Sequence, residues 1–250
     1  RRAVTLEADN WRHHLRLAYV GWGEERLRES RRTLAPLPGF PPAHWLSATV
    51  HVARQALDEA ERELDAGITS QSGQGSPSRF SSVALHWLRG LVHLARGDEP
   101  AALASLEREL SFEASGHLYA RECCANTWYA IGAVHMRQQR RKQAGEAFQQ
   151  ALARVHTHPL ARLGLAMLSG EANRAAPDAA VSSLEGSIAH AIALVAAGDH
   201  VNAARQIDEA LAVAPPGNTG WILPIEPSLN VAAAPGTWAP VLARLRTRAA

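Results

Sequence analysis

Three stretches of this chain repeat one arrangement of small and large apolar residues, and that arrangement restricts the fold more than any other property of the sequence. In the first, Gly90, Gly97, Asp98, Ala102, Leu103, Leu106 and Leu110 stand at relative positions 8, 15, 16, 20, 21, 24 and 28. In the second, Trp128, Ile131, Gly132, Ala144, Phe148 and Ala151 stand at 4, 7, 8, 20, 24 and 27. In the third, Ala191, Leu194, Gly198, Asp199, Ala203, Ile207, Ala210, Leu211 and Pro215 stand at 8, 11, 15, 16, 20, 24, 27, 28 and 32. Small residues at 8 and 20 let two helices approach closely, and the large residues at 24 and 28 fill the space against the next helix. Glycine at 15 ends the first helix, and aspartate at 16 caps the second. Each stretch is therefore a helix pair, and pairs of this kind bury their apolar faces by stacking.

This pattern resembles the tetratricopeptide repeat, whose marks are a large residue at 4, small residues at 8 and 20, an aromatic at 24, alanine at 27 and proline at 32. The resemblance implies an all-α fold, a right-handed α-α superhelix of helical hairpins. The second stretch matches best, whereas the first carries Glu109 where alanine is expected at 27. The repeat interval is uneven. Gly90 and Gly132 are 42 residues apart and Gly132 and Ala191 are 59 apart, against about 34 for a strict array. The longer interval leaves room for an added helix over Pro159–Asn173.

The expected organisation has four parts. Residues 1–66 hold N-terminal helices, two of them broken near Gly21-Trp22-Gly23, and then one strong helix over Ala43–Asp65. That last helix carries an apolar stripe of Leu46, Val50, Ala53, Leu57, Ala60 and Leu64. Residues 67–82 are rich in Gly, Ser and Gln, without periodicity, and read as a mobile loop. Residues 83–215 hold the repeat-like pairs. Residues 216–250 read as a Pro-rich wrap with a short helix over Ser228–Ala234. A closing helix follows from Trp238 to Thr247, capped by Thr237 and with Pro240 in its first turn. Such an ending is similar to the tails of bacterial tetratricopeptide proteins, often joined to signalling or regulatory domains. The chain opens on Arg1, which fits a piece of a longer polypeptide.

Composition narrows the function. Apolar residues at 46% and charged residues at 20% describe a globular chain. A net charge of +2 without aromatic-interleaved basic tracks gives no case for nucleic acid. No apolar run reaches the ~18 residues of a membrane span. The two cysteines, Cys123 and Cys124, are adjacent, so they read as free thiols in a reducing, cytoplasmic compartment. The twelve histidines include His13-His14, His86 with His93, and His156-x-His158, but none has metal-ligand spacing. No nucleophile or phosphate-loop motif is present, so neither a catalytic residue nor a cofactor is expected.

The resemblance implies a concave face lined by the first helix of each pair. Carried onto this chain, that face comprises Ala84, Trp87, Leu91, Leu94 and Ala95, then Asn126, Tyr129, Ala133, Met136 and Arg137, then Glu185, Ile188, Ile192, Val195 and Ala196. The expected partner-binding set is Trp87, Leu91, Leu94, Asn126, Tyr129, Met136 and Arg137. Asn126 offers a backbone-like donor and acceptor, Tyr129 an aromatic wall with a polar tip, and Arg137 a fork for a carboxylate. The same apolar row at helical spacing also reads as plain core. Arg140, Arg141 and Lys142, next to Arg137 at a helix turn, are candidate anion contacts. Three functions stay open: a scaffold that holds a protein or peptide, a self-associating structural protein, and the regulatory part of a larger signalling protein or enzyme.

Overall fold

The computed structural model describes residues 6–74, 82–115, 117–171 and 184–250. Twelve α-helices run through the described residues, and no strand does. They are α1 (Trp11–Val20), α2 (Gly23–Leu34), α3 (Pro41–Ala53), α4 (Leu57–Ser72), α5 (Leu85–Ala95) and α6 (Glu99–Leu110). Then come α7 (Ala120–Arg137), α8 (Arg141–Arg154), α9 (Pro159–Ser169), α10 (Leu184–Ala196), α11 (His200–Val213) and α12 (Pro235–Arg248). Helices adjacent in sequence pack against one another, so the fold is all-α.

Four hairpins share one turn. In α3–α4, α5–α6, α7–α8 and α10–α11 the middle residue of the three-residue junction is left-handed: Gln55 (φ 58°), Gly97 (φ 82°), Gln139 (φ 59°) and Gly198 (φ 84°). In each, the next amide donates back to a carbonyl five residues upstream. The pairs are Ala56 to His51, Asp98 to His93, Arg140 to His135 and Asp199 to Leu194, all at 2.9–3.0 Å. These are Schellman-type endings that satisfy the last helical carbonyls. The turns recur at 55, 97 and 139, then at 198. Two intervals of 42 residues are thus followed by one of 59, and α9 occupies the extra length.

Close packing inside a pair follows the small residues. A Cβ on Gly164 would lie 2.6 Å from the Phe148 ring, and one on Gly132 would also sit inside van der Waals contact with it. Phe148 on α8 is thus gripped by glycines from α7 and α9 and is 2% exposed.

Four expectations change. The helix expected over Ala43–Asp65 is two helices, α3 and α4, divided at Arg54–Ala56. No Gly or Pro marks that break. Gln55 takes the left-handed conformation itself, and its amide donates to Leu242 O at 2.9 Å, a contact 187 residues away. The expected loop begins later, because α4 continues to Ser72 and buries Gly67 and Gln71. Residues 75–81 of that loop, and the end of the helix expected to reach Asn173, lie outside the described residues. In place of a helix over Ser228–Ala234 there is one 3-10 turn, Val231–Ala233, preceded by another at Leu223–Ile225. Finally, α12 starts at Pro235 after Ala234, not at a Thr237 cap.

The C-terminal residues close the molecule rather than trail from it. Helix α12 packs on α11 through Trp238, Val241 and Leu245 and through a two-pronged Arg244–Asp208 ion pair of 2.7 and 2.9 Å. It also returns to α3, where Arg54 donates to Ala249 O at 2.8 Å and Leu27, Val50, Ala53 and Ala249 form one buried cluster.

Candidate functional site

The first helices of successive hairpins form one face. Helix α5 packs beside α3, and α7 beside α5. Over this face lies the strap Trp221–Ala234, joining α11 to α12. Leu223, Ile225, Leu229 and Val231 of the strap are buried, and Ile225 joins the cluster that contains Leu88, Leu91 and Ala130. Trp221 meets Trp45 edge-on at 6.2 Å.

The strap therefore decides the fate of the expected partner-binding row. Leu91 and Leu94 are 1% and 2% exposed, and Trp87 is half-buried in the same cluster. Tyr129 is buried, donating its hydroxyl to Glu226 Oε1 at 2.5 Å, while Ser228 Oγ lies 2.7 Å away. Arg137 donates to Asn230 Oδ1. Removing the strap would expose four large apolar side chains, at a cost of about 6–12 kcal/mol. That equals the whole stability of an ordinary domain, so the strap is core here and a partner does not reach Leu91, Leu94 or Tyr129 beneath it. The plain-core reading of that apolar row is the physical reason.

The strap also reaches α9 and α10, where Leu223, Leu229 and Val231 share a buried cluster with Leu163 and Ile192. Among the described residues, nothing fills the part of the face beyond it. Helices α7 and α10 flank α9, which packs against both. Glu122 and Asn126 stand opposite Glu185 and Ile188 at one end, and Ala133, Met136 and Arg137 stand opposite Ile192, Val195 and Ala196 at the other. Leu160, Gly164 and Met167 of α9 form the floor. Two cavities of about 400 and 250 Å³ share Leu160 and make one groove. Pro227, Ser228 and Asn230 of the strap stop its Arg137 end.

The polar wall of this groove is fixed by α9. His158 caps that helix, its Nδ1 accepting from the Ala161 amide at 3.1 Å. Nδ1 is then the lone-pair nitrogen, so Nε2 carries the proton and donates to Asn126 Oδ1 at 3.0 Å. Burial holds the imidazole below its usual range, consistent with this neutral form. With its oxygen engaged, exposed Asn126 offers the groove its NH2. Glu122 and Glu185 are exposed at the mouth. At the far end burial lowers Arg137 from its ordinary value, against the attraction of Glu99.

Of the expected site residues, Asn126, Met136 and Arg137 come together in this groove, whereas Trp87, Leu91, Leu94 and Tyr129 lie under or beside the strap. The basic turn is not gathered into one anion site. Arg137 faces the strap, Arg141 donates to Leu168 O, Lys142 is 4.0 Å from Glu146, and Arg140 is exposed. Burial pushes the Cys123 and Cys124 thiols up to about 12 and about 11, so neither is a ready nucleophile. Among the described residues, no three His, Cys, Asp or Glu side chains stand close enough to hold a metal ion, and no helix is long and apolar enough to cross a membrane.

Glu109 is the residue whose role the repeat pattern left unexplained. Its carboxylate accepts from the amides of Ala84 at 2.6 Å and Trp87 at 3.1 Å, capping α5 from the partner helix α6. Ala84 is left-handed (φ 72°) and has no side chain to do this. The missing alanine at position 27 was its sequence signal. No protein-family model matches this chain, and no curated protein matches it.

Proposed function

We propose that this chain is a tetratricopeptide-like binding module, and that it holds a segment of another polypeptide in the groove between α7 and α10. The observation that carries this reading is the contrast along one face. The strap seals the part over α5 and the middle of α7, and among the described residues nothing fills the apolar channel over α9. An exposed apolar channel is a binding signal. Its length, about 22 Å from Glu122 to Arg137 along one helix, suits a chain better than a compact molecule. The uniform turns at intervals of 42 residues support a superhelical stack of hairpins for α3 to α8.

The test is a random peptide display selection on the immobilised protein, with Ile188→Arg and Val195→Arg as groove-blocking variants checked for helicity. Both side chains are half-buried at the groove wall. Peptides that bind the parent and lose binding to both variants are the expected result. Peptides that bind all three proteins equally would remove the groove from the account.

A further inference from the structure

The groove is charged unlike at its two ends. Glu122 on α7 and Glu185 on α10 face each other across the mouth, both exposed and without an ion-pair partner among the described residues. Arg137 stands at the other end, where it donates to the neutral Asn230 side chain and also feels the attraction of Glu99. Between them the walls are apolar: Leu160, Ile188, Met136, Met167, Ile192 and Val195. The charges are therefore separated by an apolar interval of fixed length. Fifteen residues of helix at 1.5 Å each place Arg137 about 22 Å from Glu122.

Resting on the binding reading above, we propose that the occupant is an extended polypeptide segment with a basic and an acidic side chain six residues apart and apolar side chains at the two same-facing positions between them. An extended chain rises about 3.3 Å per residue, so six residues cover about 20 Å. Residues 1, 3, 5 and 7 of such a segment point to one side. The basic side chain sits between Glu122 and Glu185, the two apolar ones fill the cavities on either side of Leu160, and the acidic one meets the Arg137 guanidinium. The Asn126 NH2 donates to a backbone carbonyl of the segment.

The probes are fluorescein-labelled heptapeptides with blocked ends: Lys-Ser-Leu-Ser-Leu-Ser-Glu, its reversed sequence, and Leu-Ser-Ser-Lys-Glu-Ser-Leu with the charges adjacent. Binding is read by fluorescence anisotropy at low salt. One of the two spaced orders is expected to bind more tightly than the adjacent-charge peptide. The double variant Glu122→Lys, Glu185→Lys, altered only at exposed positions, is expected to weaken that peptide about tenfold, two ion pairs being lost. A peptide with Glu in place of its Lys is expected to bind the double variant better than the parent. Equal binding of spaced and adjacent-charge peptides, or no effect of the double variant, overturns the charge rule. If Ile188→Arg still abolishes binding in that case, the groove reading stands without it. If no heptapeptide binds and display selection yields nothing that Ile188→Arg blocks, both readings fall.

Discussion

The Tyr129 hydroxyl and the Glu226 carboxylate meet at 2.5 Å across 97 residues of sequence, joining α7 to the strap inside the molecule. Burial raises the Glu226 carboxyl above its ordinary 4.5, against the opposing hydrogen bonds from Tyr129 and the Ser228 amide. A raised folded-state value means that the folded chain holds this proton more tightly than the unfolded chain. The stabilisation is complete below the unfolded value and is lost as pH rises through the folded one. Glu226→Gln keeps an acceptor for Tyr129 and does not titrate. The Tm of this variant minus that of the parent is expected to grow as pH rises from about 4 and then level off. The Glu109 carboxyl is raised as well, but it is present in both proteins and cancels in the difference. A pH-independent difference would refute the assignment. Tyr129→Phe, which leaves the buried carboxylate without its hydroxyl donor, is expected to cost about 1–3 kcal/mol by denaturant titration.

Glu109→Ala removes the acceptor for the Ala84 and Trp87 amides at the start of α5. The expected loss is about 2–3 kcal/mol, larger than for an ordinary cap because the amides are buried and the acceptor is a carboxylate. Hydrogen exchange should show the amides of Ala84 and Trp87 losing protection first, with α11 unaffected.

Gln139→Gly is expected to stabilise the fold by about 1 kcal/mol, because Gln139 is exposed and left-handed, a conformation that costs L-residues about 1–2 kcal/mol. Gln55→Gly relieves the same strain but also cuts the bond to Leu242 O. Its net change should be smaller or of opposite sign, and chemical denaturation of the two variants compares them directly.

Gly132→Ala places a methyl group against the Phe148 ring, and Gly164→Ala does so from the other side. Each is expected to destabilise by about 1–3 kcal/mol through overpacking. Phe148→Leu in the same chain should recover part of that loss, which calorimetry of the double variants would measure.

The sequence made some turns plain and hid others for a physical reason. Gly97-Asp98 and Gly198-Asp199 announce themselves because glycine adopts positive φ freely and aspartate caps the next helix, as Asp98 does for Ala101 and Asp199 for Asn202. Gln55 and Gln139 make the same turn with a residue that carries no such signal, so α3 and α4 read as one helix. The interval of 59 residues correctly reserved space for α9. A stretch dense in Pro and Gly marks a wrap over residues 216–250 but does not say which face it covers; that is set by Tyr129, Arg137 and the buried clusters around Leu91 and Ile192. Those contacts join residues far apart in sequence, 97 for Tyr129 and Glu226 and 93 for Arg137 and Asn230, and leave no periodic trace. For that reason Asn126, Met136 and Arg137 were found in the groove, and Leu91, Leu94 and Tyr129, chosen by the same rule, lie under the strap.

The return of α12 to α3 changes how this molecule should come apart. In a linear stack each repeat leans only on its neighbours, and the terminal ones fray first at little cost to the middle. Here the last helix is tied to the third through Arg54, Gln55 and the cluster around Ala249, so a break at any hairpin also loosens the seam. Melting should then be a single concerted event rather than a peeling from the ends. The seam itself would be its weak point under tension, because a pull on the two ends loads those few contacts directly.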